Sequence, residues 1–244
     1  MSLDDCEMHY EARGEGEPLL LVHGFTGSGA DWNLIFPTPP DGFRLLQPDL
    51  RGHGRSANPS GQFTFRQCAR DTMALLDRLD IRRCKAIGVS GGGQVLLHMA
   101  TQQPSRFDGL VLVSTSHYFP EEARAIMRQM TSETRSPAEW ETMRRSHLQG
   151  DEQIRALWRH GNELQHSYTD VNFTPPLLST ITARTLIVHG DGDLLYPLRI
   201  PLELRASIPR SNLWILPNAG HSPIWDARFT GSFVQTAIAF LRAD

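Results

Sequence analysis

A serine hydroxyl attacks a carbonyl only when another group takes its proton, and four short runs in this chain carry the residue types for that. The first is Gly88-Val89-Ser90-Gly91-Gly92, the pattern G-x-S-x-G. An apolar run precedes it and an amphipathic one follows, which puts Ser90 on a strand-to-helix turn. Such a turn is sharp. Side chains two before and two after the serine would collide, and both positions are glycine. The turn lifts the hydroxyl clear of its strand. It also sets a helix N-terminus, with its positive dipole end and free N–H groups, beside a reacting carbonyl. Taken alone, the same glycines would also suit a phosphate-binding turn.

The second run is His23-Gly24-Phe25-Thr26-Gly27, directly after the first apolar strand. A loop turning at Gly24 offers the Phe25 N–H as an oxyanion donor, and the Gly91 N–H supplies a second. His23 is expected to bond the loop backbone rather than to act as a base. The third run is His189-Gly190-Asp191-Gly192-Asp193, also after a strand. Its two carboxylates compete for the place beside an imidazole Nδ1, and Asp193, one loop turn further out, is favoured. The fourth is Asn218-Ala219-Gly220-His221-Ser222-Pro223, where small residues leave the ring of His221 free to point at a neighbour. The expected site is Ser90 as nucleophile, His221 as general base, Asp193 as the acid that orients it, and Phe25 and Gly91 as oxyanion donors.

Elements that could position these loops are visible as short apolar runs alternating with amphipathic ones. Strands are expected at 19–22, 44–47, 85–89, 110–113, 185–188 and 213–216. Most are continuous apolar runs, as in parallel strands covered on both faces. Helices are expected at 65–79, 92–103, 199–207 and 229–241. The alternation predicts an α/β fold with a mostly parallel, doubly wound sheet and right-handed crossovers. Residues 119–176 break the rhythm, with helical patterns at 121–130, 137–148 and 151–164 and no convincing strand. A structureless loop of that length is improbable. A helical insert is expected at 119–176, with 1–118 and 177–244 forming the core.

With these motifs in place, nearly the whole chain resembles α/β-hydrolase fold enzymes of the single-domain, cap-bearing kind. The order Ser90, Asp193, His221 is theirs, and Pro48-Asp49-Leu50-Arg51-Gly52-His53-Gly54-Arg55-Ser56 resembles the loop after their second core strand. The resemblance makes His53 scaffold, selects Asp193 over Asp191, and identifies the insert as the family's cap. It implies an esterase-like serine hydrolase, cleaving a carboxylic ester, lactone or related acyl bond of a small molecule through an acyl-enzyme, with no metal or organic cofactor. A menaquinone-synthase-like lyase, a carbon–carbon bond hydrolase, a cofactor-free perhydrolase or a ligand receptor would use the same scaffold. The lyases tend to carry Arg four residues after the nucleophile, where this chain has Gln94. Epoxide hydrolases and haloalkane dehalogenases carry Asp where Ser90 stands. Relatives often have a bulky residue after the nucleophile, so Gly91 implies extra room beside the oxyanion hole. Trp140, Trp158, Met127, Met130, His117, Tyr118 and Phe173 are candidates for lining an acyl or alcohol pocket. The N-terminal strands look abbreviated, with 7–12 supplying part of a first hairpin.

The resemblance implies a small-molecule substrate as the partner, and composition argues against nucleic acid and membrane. The 244 residues suffice for one well-buried core, and a formal net charge of −3 without a basic run argues against nucleic acid. Cys6, Cys68 and Cys84 are odd in number and form no C-x-x-C pair, which fits reduced thiols in a cytoplasmic protein. Met1-Ser2-Leu3-Asp4-Asp5 lacks the basic-then-apolar pattern of a leader, and no run approaches the ~20 apolar residues of a membrane helix. Oligomeric state is left open.

Overall fold

The apolar runs become the centre of a seven-stranded sheet in a computed structural model that describes residues 2–3 and 6–243. Of the residues from which the lack of a leader was inferred, Met1, Asp4 and Asp5 lie outside the described ones. The sheet strands are β1 (Tyr10–Arg13), β2 (Glu17–Val22), β3 (Phe43–Pro48), β4 (Cys84–Val89), β5 (Phe107–Val113), β6 (Arg184–Gly190) and β7 (Ser211–Leu216). Their order is β1-β3-β2-β4-β5-β6-β7, and every pairing is parallel except β1 with β3.

The register lines up the carboxyl ends. Val22 pairs with Gly88, Val89 with Val113, Val113 with Val188, and Gly190 with Leu216. The loops after β2, β4, β6 and β7 therefore leave one edge together. The order reverses at β2, with β3 on one side and β4 on the other, and ligands of open α/β sheets sit in the crevice at such a point.

Period-two alternation sorts each strand between two cores. Leu20 and Val22 face Phe65, Cys68 and Leu76 of α1 (Phe65–Arg78), Val95 and Leu96 of α2 (Gly91–Gln102), and Leu204. Leu19 and Leu21 face Trp32, Phe36, Phe233 and Leu241 on the other side. Both faces being covered explains why the inner strands are apolar throughout.

The edge strand β1 departs from expectation. It is a single half-exposed strand, Tyr10–Arg13, antiparallel to β3. Polar bonds secure it: Arg13 Nε donates to Gln47 Oε1 at 2.9 Å and Arg13 Nη2 to the Phe36 carbonyl at 2.8 Å. The expected range 7–12 overlaps it only in part, because Cys6–Glu7 pairs separately with Ser2–Leu3.

Between β5 and β6 lie α3 (Glu121–Met127), α4 (Pro137–Ser146) and α5 (Asp151–Glu163). These form a helical cap. Ser136 and Glu139 make a capping box that starts α4. Trp140, Met143, Ile154, Leu157 and Trp158 give the cap a small core of its own. The one-turn helix Pro175–Leu178 straddles the expected return point at 177. The remaining long helices are α6 (Arg199–Ser207) and α7 (Ala227–Arg242). Among the described residues no helix is long and apolar enough to cross a membrane.

Asp170 ties the end of the cap segment to the core. Its carboxylate accepts the Phe65 N–H at 2.7 Å and the Arg66 N–H at 3.1 Å, at the start of α1. Two orphan donors and the helix dipole are satisfied at once. Burial pushes this carboxyl up, but the imidazole of His98 at 3.6 Å and the bonds from the Phe65 and Arg66 N–H groups outweigh it and hold it below the usual carboxylate range. Asp170→Ala should destabilise the protein by about 1–2 kcal/mol in chemical denaturation; a change near zero would remove Asp170 as an anchor.

Candidate active site

Ser90 sits at φ +51°, ψ −117°, immediately before α2. A serine holds this conformation only when its surroundings force it. The surroundings here are glycines in close contact. A Cβ on Gly88 would come within 2.7 Å of the Gly92 carbonyl, and one on Gly92 within 2.2 Å of the Val22 carbonyl. Without those atoms α2 presses onto the end of β2. The Ser90 N–H donates to the Val113 carbonyl at 2.8 Å, and the Gln94 N–H to the Ser90 carbonyl at 3.2 Å.

The loop after β7 is locked to its neighbours. The Ser222 N–H donates to Ser114 Oγ at 3.0 Å, and the Gly192 N–H to the Ala219 carbonyl at 2.9 Å. His221 is thereby brought between two partners. Its Nδ1–H donates to Asp193 Oδ2 at 2.7 Å, which leaves Nε2 to accept from Ser90 Oγ at 2.9 Å. The Asp193 side chain is fully buried, while that of His221 is 28 % exposed, so the acid is shielded and the imidazole is partly open to solvent. The other Asp193 oxygen accepts the Leu195 N–H at 2.8 Å and the Tyr196 N–H at 3.0 Å. Burial pushes the Asp193 carboxyl up. The hydrogen bond and charge of His221, with the Tyr196 N–H, more than offset this and hold it below the usual range. Asp191 is exposed and, among the described residues, accepts only the Ala219 N–H, at 3.4 Å. Of the two competing carboxylates, Asp193 is the one at His221.

Phe25 and Gly91 also come together: a Cβ on Gly91 would lie 3.2 Å from the Phe25 nitrogen. Neither N–H donates to a protein acceptor among the described residues. His23 holds the loop, donating from Nδ1 to the Gly24 carbonyl at 2.7 Å and accepting the Leu50 N–H at Nε2 at 3.0 Å. Both ring nitrogens are thus committed to backbone. His53 donates from Nδ1 to the Arg51 carbonyl at 3.0 Å and is also scaffold.

The extra room expected at Gly91 is absent. A Cβ there would meet Cε1 of Phe65 at 2.7 Å, so an aromatic ring from the start of α1 already fills the space. The small residue accommodates Phe65, not substrate.

The aromatic and Met candidates also sort differently from a simple lining. Trp140 packs edge-on to Trp158 at 4.6 Å inside the cap, Phe173 packs against His98 at 4.7 Å, and Met127 is in the main core. His117 stacks edge-on with Tyr118 and lies 3.2 Å from Glu203. Only Met130 and Trp158 of the seven line a cavity of about 880 Å³ that Thr26 shares with α4 and the 128–135 loop.

Tyr196 escaped sequence reasoning, and Gln94, noted there only as the residue four after the nucleophile, gains a partner at the site. The Tyr196 ring packs edge-on against His221 at 5.3 Å, and Gln94 Nε2 donates to its hydroxyl at 3.0 Å. Burial pushes this phenol up, so it stays protonated. The available signal for Tyr196 was its spacing, three residues after Asp193.

Together these groups can take a proton from a serine hydroxyl and offer two N–H donors to a developing oxyanion. A family model described as the alpha/beta hydrolase fold matches residues 17–141, more than half of the chain. The protein belongs to the alpha/beta hydrolase fold family. A pimeloyl-[acyl-carrier protein] methyl ester esterase from Nitrosomonas europaea is 26 % identical, over 89 % of this chain and 94 % of its own length. A 2-hydroxy-6-oxo-6-phenylhexa-2,4-dienoate hydrolase from Comamonas testosteroni is 26 % identical, over 98 % and 93 %. Among solved structures, a thermophilic esterase from Thermogutta terrifontis aligns with TM-score 0.74 at 25 % identity, covering 97 % of this chain and 94 % of that one. A meta-cleavage product hydrolase from Pseudomonas fluorescens shares the fold with TM-score 0.79 at 23 % identity, covering 96 % and 93 %.

Buried histidines around the site make stability depend on pH. Burial pushes His53 well below the usual histidine value, and the neighbouring His23 and His147 push it further. Burial lowers His147, His189 and His117 as well. A histidine lowered in the folded state binds its proton more readily when unfolded. Its contribution is complete above about pH 6.5 and is lost as pH falls toward the folded value. Tm should fall from about pH 6.5 downward, before the carboxylates titrate, and His53→Gln should flatten that slope. A flat Tm between pH 7 and 5 would contradict this.

Proposed function

We propose that this protein is a serine hydrolase cleaving a carboxylic ester, or a related acyl bond such as a lactone, of a small molecule. The observation that carries the reading is the unbroken line from Asp193 through His221 to Ser90, with bonds of 2.7 and 2.9 Å. It ends on a serine held at positive φ beside two free N–H groups.

The chemistry follows from the geometry. His221 Nε2 takes the Ser90 proton as Oγ bonds to the substrate carbonyl carbon. Asp193 fixes the tautomer with Nδ1 protonated and stabilises the imidazolium. The Phe25 and Gly91 N–H groups receive the negative charge on the carbonyl oxygen. The tetrahedral centre collapses, the bond to the alkoxy group breaks, and the alcohol leaves with the proton from His221. Water then loses a proton to His221 and attacks the acyl-Ser90 carbonyl. The acid departs, and Ser90 regains its proton. Every step uses groups of this chain, the substrate and water.

A neutral amide supports hydrolysis over the lyase alternative. Gln94 stands where lyases of this resemblance carry Arg, and it is buried and turned toward Tyr196. One relative is named for a methyl ester and another for a dienoate. The ester reading requires only the groups just described. Residues 119–176 act as the cap that sets specificity.

With p-nitrophenyl esters of increasing acyl length, wild type should turn over and Ser90→Ala should lose several orders of magnitude in kcat. Equal activity in both would remove Ser90 as the nucleophile. Gly91→Ala should lower kcat at least ~10-fold, because its methyl collides with Phe65 beside the Phe25 donor. Unchanged kcat there would contradict the tight packing.

A further inference from the structure

Thr26 has φ +66°, a conformation that β-branched residues rarely adopt. It is the third residue of a turn closed by the Gly27 N–H donating to the Gly24 carbonyl at 3.0 Å. Turns with positive φ at that position favour glycine. Phe25, the residue just before, carries the proposed oxyanion donor. The shape of this turn decides where that N–H points, yet the residue at its apex favours another shape. Something must hold it.

The holder comes from the cap. His147 follows directly after α4 and is buried. Its Nε2–H donates to the Thr26 carbonyl at 3.0 Å, and its Nδ1 accepts the Gly54 N–H at 2.9 Å. One neutral imidazole therefore bridges two loops of the core. Its own segment is fastened beside it: the Leu148 N–H donates to the Gly54 carbonyl at 3.0 Å, and Gln149 Nε2 to the Arg55 carbonyl at 2.9 Å. The cap also touches Phe25 from a second direction. Helix α5 passes so close at Gly161 that a Cβ there would lie 2.9 Å from Cε1 of the Phe25 ring.

We propose that His147 is a positioning residue for catalysis, by which the seated cap holds Thr26 in its unfavourable conformation and so aims the Phe25 N–H at the oxyanion. Thr26 relaxing to negative φ would rotate the peptide planes on either side of it, break the bond from the Gly27 N–H to the Gly24 carbonyl, and so release the Gly24–Phe25 peptide that bears the donor. The cap thus does more than bound the pocket. Its seating on Gly54 and the competence of the oxyanion hole are one event, and a cap lifted from Gly54 leaves a nucleophile without its full set of donors.

The inference rests on the serine-hydrolase reading, and the experiment separates the two. A fluorophosphonate should label wild type with one adduct on Ser90 and should not label Ser90→Ala. Kinetics with a p-nitrophenyl ester then address His147. His147→Phe keeps a ring but no hydrogen bonds, and kcat should fall about 10- to 100-fold, less than the loss of a donor outright. KM should change by less than about threefold, because ground-state contacts are retained. His147→Gln places an amide where Nε2 was and should recover most of the loss. The decisive variant is Thr26→Gly, since glycine adopts positive φ without cost. Thr26→Gly alone sets the reference kcat, and adding His147→Phe to it should leave kcat within about fivefold of that reference. If Ser90 is labelled but His147→Phe keeps wild-type kcat, His147 is structural only. If kcat falls but Thr26→Gly gives no recovery, the Thr26 route is wrong. If wild type is not labelled at Ser90, both readings fall together.

Discussion

Everything at the active edge depends on how closely α2 approaches the end of β2. Gly92 lies where any side chain would overlap the Val22 carbonyl, and Gly88 where one would overlap Gly92. That approach permits the abrupt turn that carries Ser90 at positive φ. The same contact sets the Gly91 backbone next to Phe25, because the loop bearing Phe25 is the direct continuation of β2. The proposed nucleophile and the proposed oxyanion donors are therefore two consequences of one packing constraint. A larger residue at either glycine would disturb both, since the strained turn has no slack in which to absorb it.

The sheet does the rest of the positioning. Parallel register brings the ends of β4, β5, β6 and β7 level, so residues from distant parts of the sequence leave the same edge. Asp193 is buried, but three donors converge on it: two backbone N–H groups and His221. That environment keeps a carboxylate ionised out of water and lets it fix the imidazole tautomer. Tyr196 links these parts, since its N–H binds Asp193, its ring packs on His221 and its hydroxyl meets Gln94 at the start of α2.

Much of this was legible in the sequence because it rests on local rules. Leu19 to Val22 is apolar throughout because the strand is covered on both faces, and that pattern needs no tertiary knowledge. The glycines around Ser90 are equally local, whereas the order Ser90, Asp193, His221 was readable only through the resemblance to α/β-hydrolases. What could not be seen depends on partners distant in sequence. Gly91 suggested space, but Phe65 supplies a ring from another helix. Trp140 looked like a pocket wall, yet it meets Trp158 across the cap's own core. Strand β1 carries Glu11 and Arg13 and shows no apolar pattern; its partners are on β3 and at the Phe36 carbonyl. His147 sits in a polar stretch with no motif, and its role follows from a contact with Thr26 across 121 positions. Long-range side-chain packing, not element type, limits what the sequence discloses.

The central claim is that Ser90 forms a covalent acyl intermediate under the control of His221 and Asp193. The most direct measurement is rapid mixing of the protein with p-nitrophenyl acetate, followed by acid quench and mass analysis of the peptides. A burst approaching one p-nitrophenol per chain and an acetyl group on the peptide containing Ser90 are expected. Steady turnover with no burst and no label at any quench time, or a label on a residue other than Ser90, would contradict it.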